Sequence, residues 1–182
     1  EWSGFVNSIR DLRSSGRQEL VRYLPVVLNQ LFRLLAVEKD DIAVECMYTI
    51  AHIINQTNMI DEKGNAEVGF RHPLLTSYIS TMFETPEGSG AYGHFHFRLL
   101  NLWCRRLTVD ATNDSMDQIF LRFIWFMFDI VIKSRVQFLQ EKKALPFRSH
   151  EASSELVEED KKYGREVGKL VTGLLASEIQ PV

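Results

Sequence analysis

Three clusters in this 182-residue chain hold residue types that chemistry needs. The first, Gly88-Ser89-Gly90-Ala91-Tyr92-Gly93, has the form GxGxxG. Such a run cradles a pyrophosphate when a strand leads into it and a helix N-terminus follows, and it lids a kinase site when a lysine-bearing strand comes next. A helical pattern leads into it here and no lysine strand follows, so it reads as a plain loop with no cofactor. The second cluster is His94-Phe95-His96, with Cys104 eight residues beyond His96. Residues i and i+2 of a helix point to different sides, and two imidazoles leave a zinc ligand set incomplete, so no metal is expected. The third is Arg98, Arg105 and Arg106, which read as an outward-facing solvated rim and as the residues to contact an acidic protein partner. Catalysis by the remaining titratable groups needs a pocket holding two of His52, His72, His94, His96 and His150 with a carboxylate partner. No spacing forces one, and no catalytic residue is assigned.

The bulk composition narrows the class. At 45% hydrophobic content the chain buries a continuous core as one domain or a run of stacked repeats over residues 1–182. A net charge of −3 and no long block of one sign argue against nucleic acid or an anionic membrane as the primary partner. Cys46 and Cys104 lie far apart inside helical patterns, as free buried thiols of a cytoplasmic protein do. The opening Glu1-Trp2 reads as mid-fold, so the chain is expected to be a piece of something larger.

The stretch Met116 to Gln140 organises the rest. Phe120, Phe123, Ile124, Trp125, Phe126, Phe128 and Ile132 supply an apolar surface over roughly two-thirds of the circumference, and Gln118, Arg122, Asp129, Lys133, Gln137 and Gln140 form a narrow polar stripe. A helix of that kind is expected to be enclosed by neighbours, with Asp129 and Lys133 paired at its wet edge. The three charges interrupt the apolar run well short of the roughly 20 residues that span a bilayer.

Around it the 3.6-residue period recurs. Trp2 to Ser14 and Arg17 to Tyr23 read as short helices, and Pro25 opens a longer one whose apolar face is Leu24, Leu28, Leu31, Phe32 and Leu35. Asp40 and Asp41 cap a helix reaching about Thr57 that carries two apolar faces, and therefore sits between layers. Pro73 opens another, which stops at Thr85-Pro86, and His96 to Leu107 follows with Leu99, Leu100, Trp103 and Leu107 inward. The last helix runs from Ser149 or Ser153 to near Ile179, with Tyr163, Val167, Leu170, Val171, Leu174, Leu175 and Ile179 on one face. Gly164, Gly168 and Gly173 inside it are expected to allow close backbone approach. Flexible loops are expected near 58–72, 85–95 and 141–152. Only a weak alternating run at Tyr92 to Phe97 hints at a strand, so the chain reads as all-α, and helical units of roughly 40 residues suit an armadillo/HEAT-like α-solenoid.

Leu24 to Phe32, His72 to Phe83 and especially Phe123-Ile124-Trp125-Phe126-Met127-Phe128-Asp129-Ile130-Val131-Ile132-Lys133-Ser134 resemble segments of the DOCK family of Rho-GTPase exchange factors, most of all the zizimin-like members and their near relatives. The resemblance covers most of the chain in order. It implies an armadillo-like helical scaffold lying between a lipid-binding C2-like domain and the C-terminal exchange domain. Exchange on Rac or Cdc42 belongs to that last domain, whose catalytic loop and valine sensor are not found here. The expected partners are neighbouring domains and other proteins, with a Rho-family GTPase engaged only through the parent's exchange domain and the parent recruited to membrane. Self-association through exposed solenoid ends is also expected. The competing reading is a stand-alone peptide-binding armadillo or HEAT module with Asn29, Asn55 and Asn101 lining its groove.

Overall fold

The computed structural model describes residues 2–37, 39–58, 71–87, 94–108, 115–144 and 150–178. The glycine run 88–93 and much of the three expected loops lie outside the described residues. Helix α1 (Trp2–Asp11) ends in a 3-10 turn (Leu12–Ser14), followed by α2 (Arg17–Arg22), α3 (Leu24–Leu35) and α4 (Asp40–Asn58). Then come α5 (Pro73–Ser77), which continues as a π turn (Tyr78–Met82), α6 (Phe95–Thr108), α7 (Ser115–Arg122), α8 (Ile124–Ala144) and α9 (His150–Glu178). No strand occurs among the described residues, and the end of the weak alternating run, from Phe95, is helical.

The helix starts follow local chemistry. Pro25 sits in the first turn of α3 and Pro73 in that of α5, where a missing N–H costs nothing. His72 caps α5, its Nδ1 accepting from the Leu74 N–H at 3.2 Å. Asp40 and Asp41 place negative charge on the first turn of α4.

Helix α4 is the enclosed one. Ile42, Ala43, Cys46, Met47, Ile50, Ala51, Ile53 and Ile54 are all buried, because α1 and α2, α3 and α7 pack around it. The two apolar faces visible in its sequence are thus both used. Where α3, the end of the π turn and α6 meet, Phe32 sits edge-on to Phe83 at 5.5 Å and to Phe95 at 5.9 Å. Edge-to-face pairs of this kind add about 0.5–1.5 kcal/mol each beyond area burial.

The Met116 to Gln140 stretch departs from expectation in three respects. It is two helices, broken at Phe123, where the Phe126 N–H bonds three residues back to the Phe123 carbonyl. No proline or glycine marks this break, and Phe120, Phe123 and Phe126 on either side of it are all buried. Secondly, Ile132 is 51% exposed, since α6, α7 and the π turn cover only one side of α8, and Ile124, Trp125 and Phe128 are half-buried. Thirdly, Asp129 pairs with Arg71 at 3.0 Å while Lys133 donates to the Ser80 carbonyl at 3.1 Å, so each charge ties α8 to a neighbour.

Helix α9 lies along α6, with Tyr163 and Val167 packed on the core. Val171 is exposed, and the side chains of Leu170, Leu174, Leu175 and Ile179 lie outside the described set, as do the surroundings of Gly173. Gly164 and Gly168 do not serve close approach, for nothing lies within 4 Å of a Cβ built at either. Both sit in open helix interior, where glycine lacks compensation for its backbone entropy. Gly164→Ala and Gly168→Ala are each expected to raise stability by about 0.5–1 kcal/mol, read as a higher thermal midpoint.

Candidate functional site

The arginines expected at the rim divide. Arg98, in the first turns of α6, is buried; its Nε donates to the Leu35 carbonyl at 2.7 Å and its Nη2 to the Val37 carbonyl at 2.5 Å. The expectation of an outward Arg98 fails because the carbonyls at the end of α3 offer acceptors at a helix terminus that favours positive charge. Arg106 is also buried, its guanidinium 5.4 Å from the Tyr48 ring centre and 5.7 Å from that of Phe120, so it too is part of the packing. Arg105 alone of the three is exposed, 3.8 Å from Asp40. A small cavity of ≈ 60 Å³ beside it is lined by Val44, Met47, Leu102 and Phe120.

A second polar centre lies at the start of α6, where the sequence named two histidines but not the groups that meet them. His94 lies just before α6, its carbonyl accepting from the Phe97 and Arg98 N–H groups, and His96 is in the first turn. Because His94 stands outside the helix, the i, i+2 rule does not apply, and the two imidazoles stack at 5.7 Å. Both line one ≈ 130 Å³ cavity with Ser134, Phe138 and Thr85. His94 Nε2 is 2.9 Å from Glu159 Oε1 on α9. Arg135 of α8, itself buried, reaches Glu159 Oε2 at 3.5 Å, Asp160 and His96 Nε2 at 3.3 Å. Its guanidinium also lies 5.3 Å from the Tyr163 ring centre. One signal pointed to Arg135: it falls on the Met127–Val131 row at i+4, and a charge on an apolar row implies a buried partner. Glu45 repeats the pattern on α4, buried and receiving Arg10 at 3.0 Å and Arg13.

His94 and His96 therefore share this cavity with the carboxylates of Glu87 and Glu141, with Glu159 paired to His94 beside it, and their chemistry has to be weighed. A guanidinium only donates, so His96 Nε2 must accept and Nδ1 carries the proton. That tautomer has no lone pair at Nδ1 to take a proton from Ser134, whose hydroxyl lines the same cavity. Burial, and then the positive charge of Arg135, push the His96 pKa down to about 3. A base so weak contributes little near neutral pH. The Cys46 thiol is buried and unpaired, and burial pushes it up to about 12, far from a reactive thiolate. Cys104's side chain is outside the described set. Among the described residues no three metal-ligating groups come together, and no helix is long and apolar enough to cross a membrane.

The depressed His96 has a consequence for stability. The unfolded chain takes up this proton near pH 6.5 and the folded one only near pH 3, so the contribution is complete above the first value and is lost as pH falls toward the second. At pH 5 the loss is about 2 kcal/mol. His52 and His72, also lowered by burial and by Arg13 and Arg17 respectively, add in the same direction. Chemical unfolding at pH 7 and pH 5 is expected to show a smaller acid loss in His96→Gln than in the unaltered chain, by about 2 kcal/mol.

Asn29, one rung of the expected peptide groove, is engaged internally: it accepts from Tyr78 Oη at 2.7 Å and donates to the Met82 carbonyl at 3.0 Å. Asn55 and Asn101 lie on α4 and α6.

Comparison with known proteins completes the picture. Residues 9–181 match the family model described as "DOCK6-11, TPR domain". The chain is 28% identical over 141 residues to Dedicator of cytokinesis protein 9 of Mus musculus, covering 76% of this chain and 6% of that protein. It is 28% identical over 138 residues to the Homo sapiens protein of that name, covering 75% and 6%, and 23% identical over 139 residues to Dedicator of cytokinesis protein 11 of Danio rerio, covering 75% and 6%. The chain thus corresponds to a small fraction of the length of these relatives. No solved structure matches.

Proposed function

Since this chain belongs to the DOCK6-11 TPR-domain family, we propose that it is a non-catalytic helical scaffold and protein-interaction segment of a DOCK-type exchange factor for Rac or Cdc42. One observation carries the reading. Each buried charged residue among those described (Glu45, Arg98, Arg106 and Arg135) binds one helix to another: α4 to α1, α6 to α3, α6 to α4 and α7, and α8 to α9 and α6. Ionic groups used as cross-links suit a rigid support, and a histidine held as a hydrogen-bond acceptor for arginine suits catalysis poorly. The exposed Arg105 is the cation of the original trio that an acidic protein partner would meet first. Exchange itself would be performed elsewhere in the parent, which would work in the cytoplasm and reach membrane through its other domains.

Release of fluorescent GDP from Rac and from Cdc42 tests this. The purified chain is expected to leave both at their intrinsic rates, and acceleration of either would overturn the non-catalytic assignment. Deleting the segment from the full-length parent is expected to remove a protein partner while an isolated exchange domain keeps its activity.

A further inference from the structure

The cavity at the start of α6 is walled in part by two polar groups that the chain itself does not answer. Ser134 and His96 both line it, and both are fully buried. Neither Ser134 Oγ nor His96 Nδ1 has a hydrogen-bond partner in the chain. A serine inside a helix can turn its hydroxyl onto the carbonyl four residues back, and Ser134 does not. With Nε2 of His96 accepting from Arg135 at 3.3 Å, Nδ1 carries a proton to donate. Buried polar groups in folded proteins are paired with protein or with ordered water, because one left unmet forfeits the bonds it had in solvent.

The size and charge of the cavity say what answers them. Its volume of ≈ 130 Å³ exceeds the roughly 30 Å³ that a water molecule occupies in the liquid. An anion there would meet the carboxylates of Glu87 and Glu141, and a cation would meet the Nδ1–H of His96 with Arg135 behind the same ring. A neutral molecule that both donates and accepts suits both sets. Thr85 adds an oxygen that can still accept, since its hydroxyl proton goes to Gln137. A cavity with this many polar groups holds water, where one walled only by apolar side chains stays dry.

We propose that this cavity is a hydration site belonging to the fold, in which water accepts from His96 Nδ1–H and shares a hydrogen bond with Ser134 Oγ. Water so held joins α6 to α8 a second time, beside the direct contact of His96 with Arg135. The His96 ring is then bonded at both nitrogens, which fixes its tautomer from two sides. Glu87 and Glu141 are exposed, so the site reaches solvent and fills without unfolding.

Cross-relaxation between water and protein protons in the NMR spectrum of the 182-residue chain tests the site. The carbon-bound proton between the two ring nitrogens of His96 is expected to show water contacts of opposite sign in laboratory-frame and rotating-frame spectra, the mark of a molecule held longer than surface hydration. Ser134→Ala then separates a hydrated cavity from a dry one by the sign of its effect. Loss of a hydroxyl bonded to water is expected to lower the thermal midpoint, against alanine's better helix propensity. Loss of a hydroxyl buried without any partner would raise it. No water contact at that His96 proton, contacts of the short-lived surface kind, or a Ser134→Ala midpoint unchanged or higher would each overturn the proposal.

Discussion

Replacing Phe126 with alanine is expected to lower the free energy of unfolding by about 3–5 kcal/mol. The ring is fully buried and stacks on Tyr78 with centres 6.2 Å apart, and the Tyr78 hydroxyl in turn donates to Asn29 on α3. One line of contacts, a ring stack and then a hydrogen bond, therefore runs from α8 through the π turn to α3. Truncation removes apolar burial and leaves a cavity that three elements would have to move together to close. The loss is a third or more of the roughly 5–15 kcal/mol that holds a typical domain. Urea unfolding in dilute solution measures it. Ile132→Ala on the same helix is the internal comparison, expected to change stability by less than about 0.5 kcal/mol because that side chain is already half in water. Similar costs at both positions would mean that the outer face of α8 is covered within a single chain.

Arg98→Ala is expected to cost about 3 kcal/mol. This guanidinium, 3% exposed, donates to the carbonyls of Leu35 and Val37 and approaches Asp40 at 3.8 Å. It therefore pins the α3–α4 turn to α6, and its loss leaves two carbonyls without the charged donor they now have. A lysine has the charge without the planar fork, so Arg98→Lys should recover only part of the loss. A surface arginine of the kind the sequence suggested would be replaced at a cost within about 0.5 kcal/mol. The same unfolding measurement therefore separates a structural Arg98 from a rim residue waiting for a partner.

The difference between Arg98 and the apolar core shows how far the chain could be read in advance. Leu24, Leu28, Leu31, Phe32 and Leu35 keep helical period and are all buried, and the two faces of α4 predicted a helix between layers, which it is. Periodicity reports where apolar surface must go, so it recovers helices and their inward faces. It cannot say which long cation turns inward, because Arg98 and Arg106 find their acceptors and rings on α3, α4 and α7, far away in sequence. The break at Phe123 escaped because no proline or glycine stands there to announce it. Ile132 was assigned to the core since an all-round apolar helix does not reveal which of its sides its own chain covers. The pairing of His94 with His96 was missed because the helical i, i+2 rule was applied to a pair whose first member precedes the helix under both the expected start and the observed one.

The proposed non-catalytic role rests on buried ionisable groups that fasten helices to one another, His96 among them as the acceptor for Arg135. Nitrogen NMR of the His96 imidazole, followed from about pH 7 to about pH 5, tests it most directly. The ring is expected to stay neutral throughout, protonated at Nδ1 and unprotonated at the Nε2 that faces Arg135. A titration midpoint near the ordinary histidine value, or a proton on Nε2, would overturn that role.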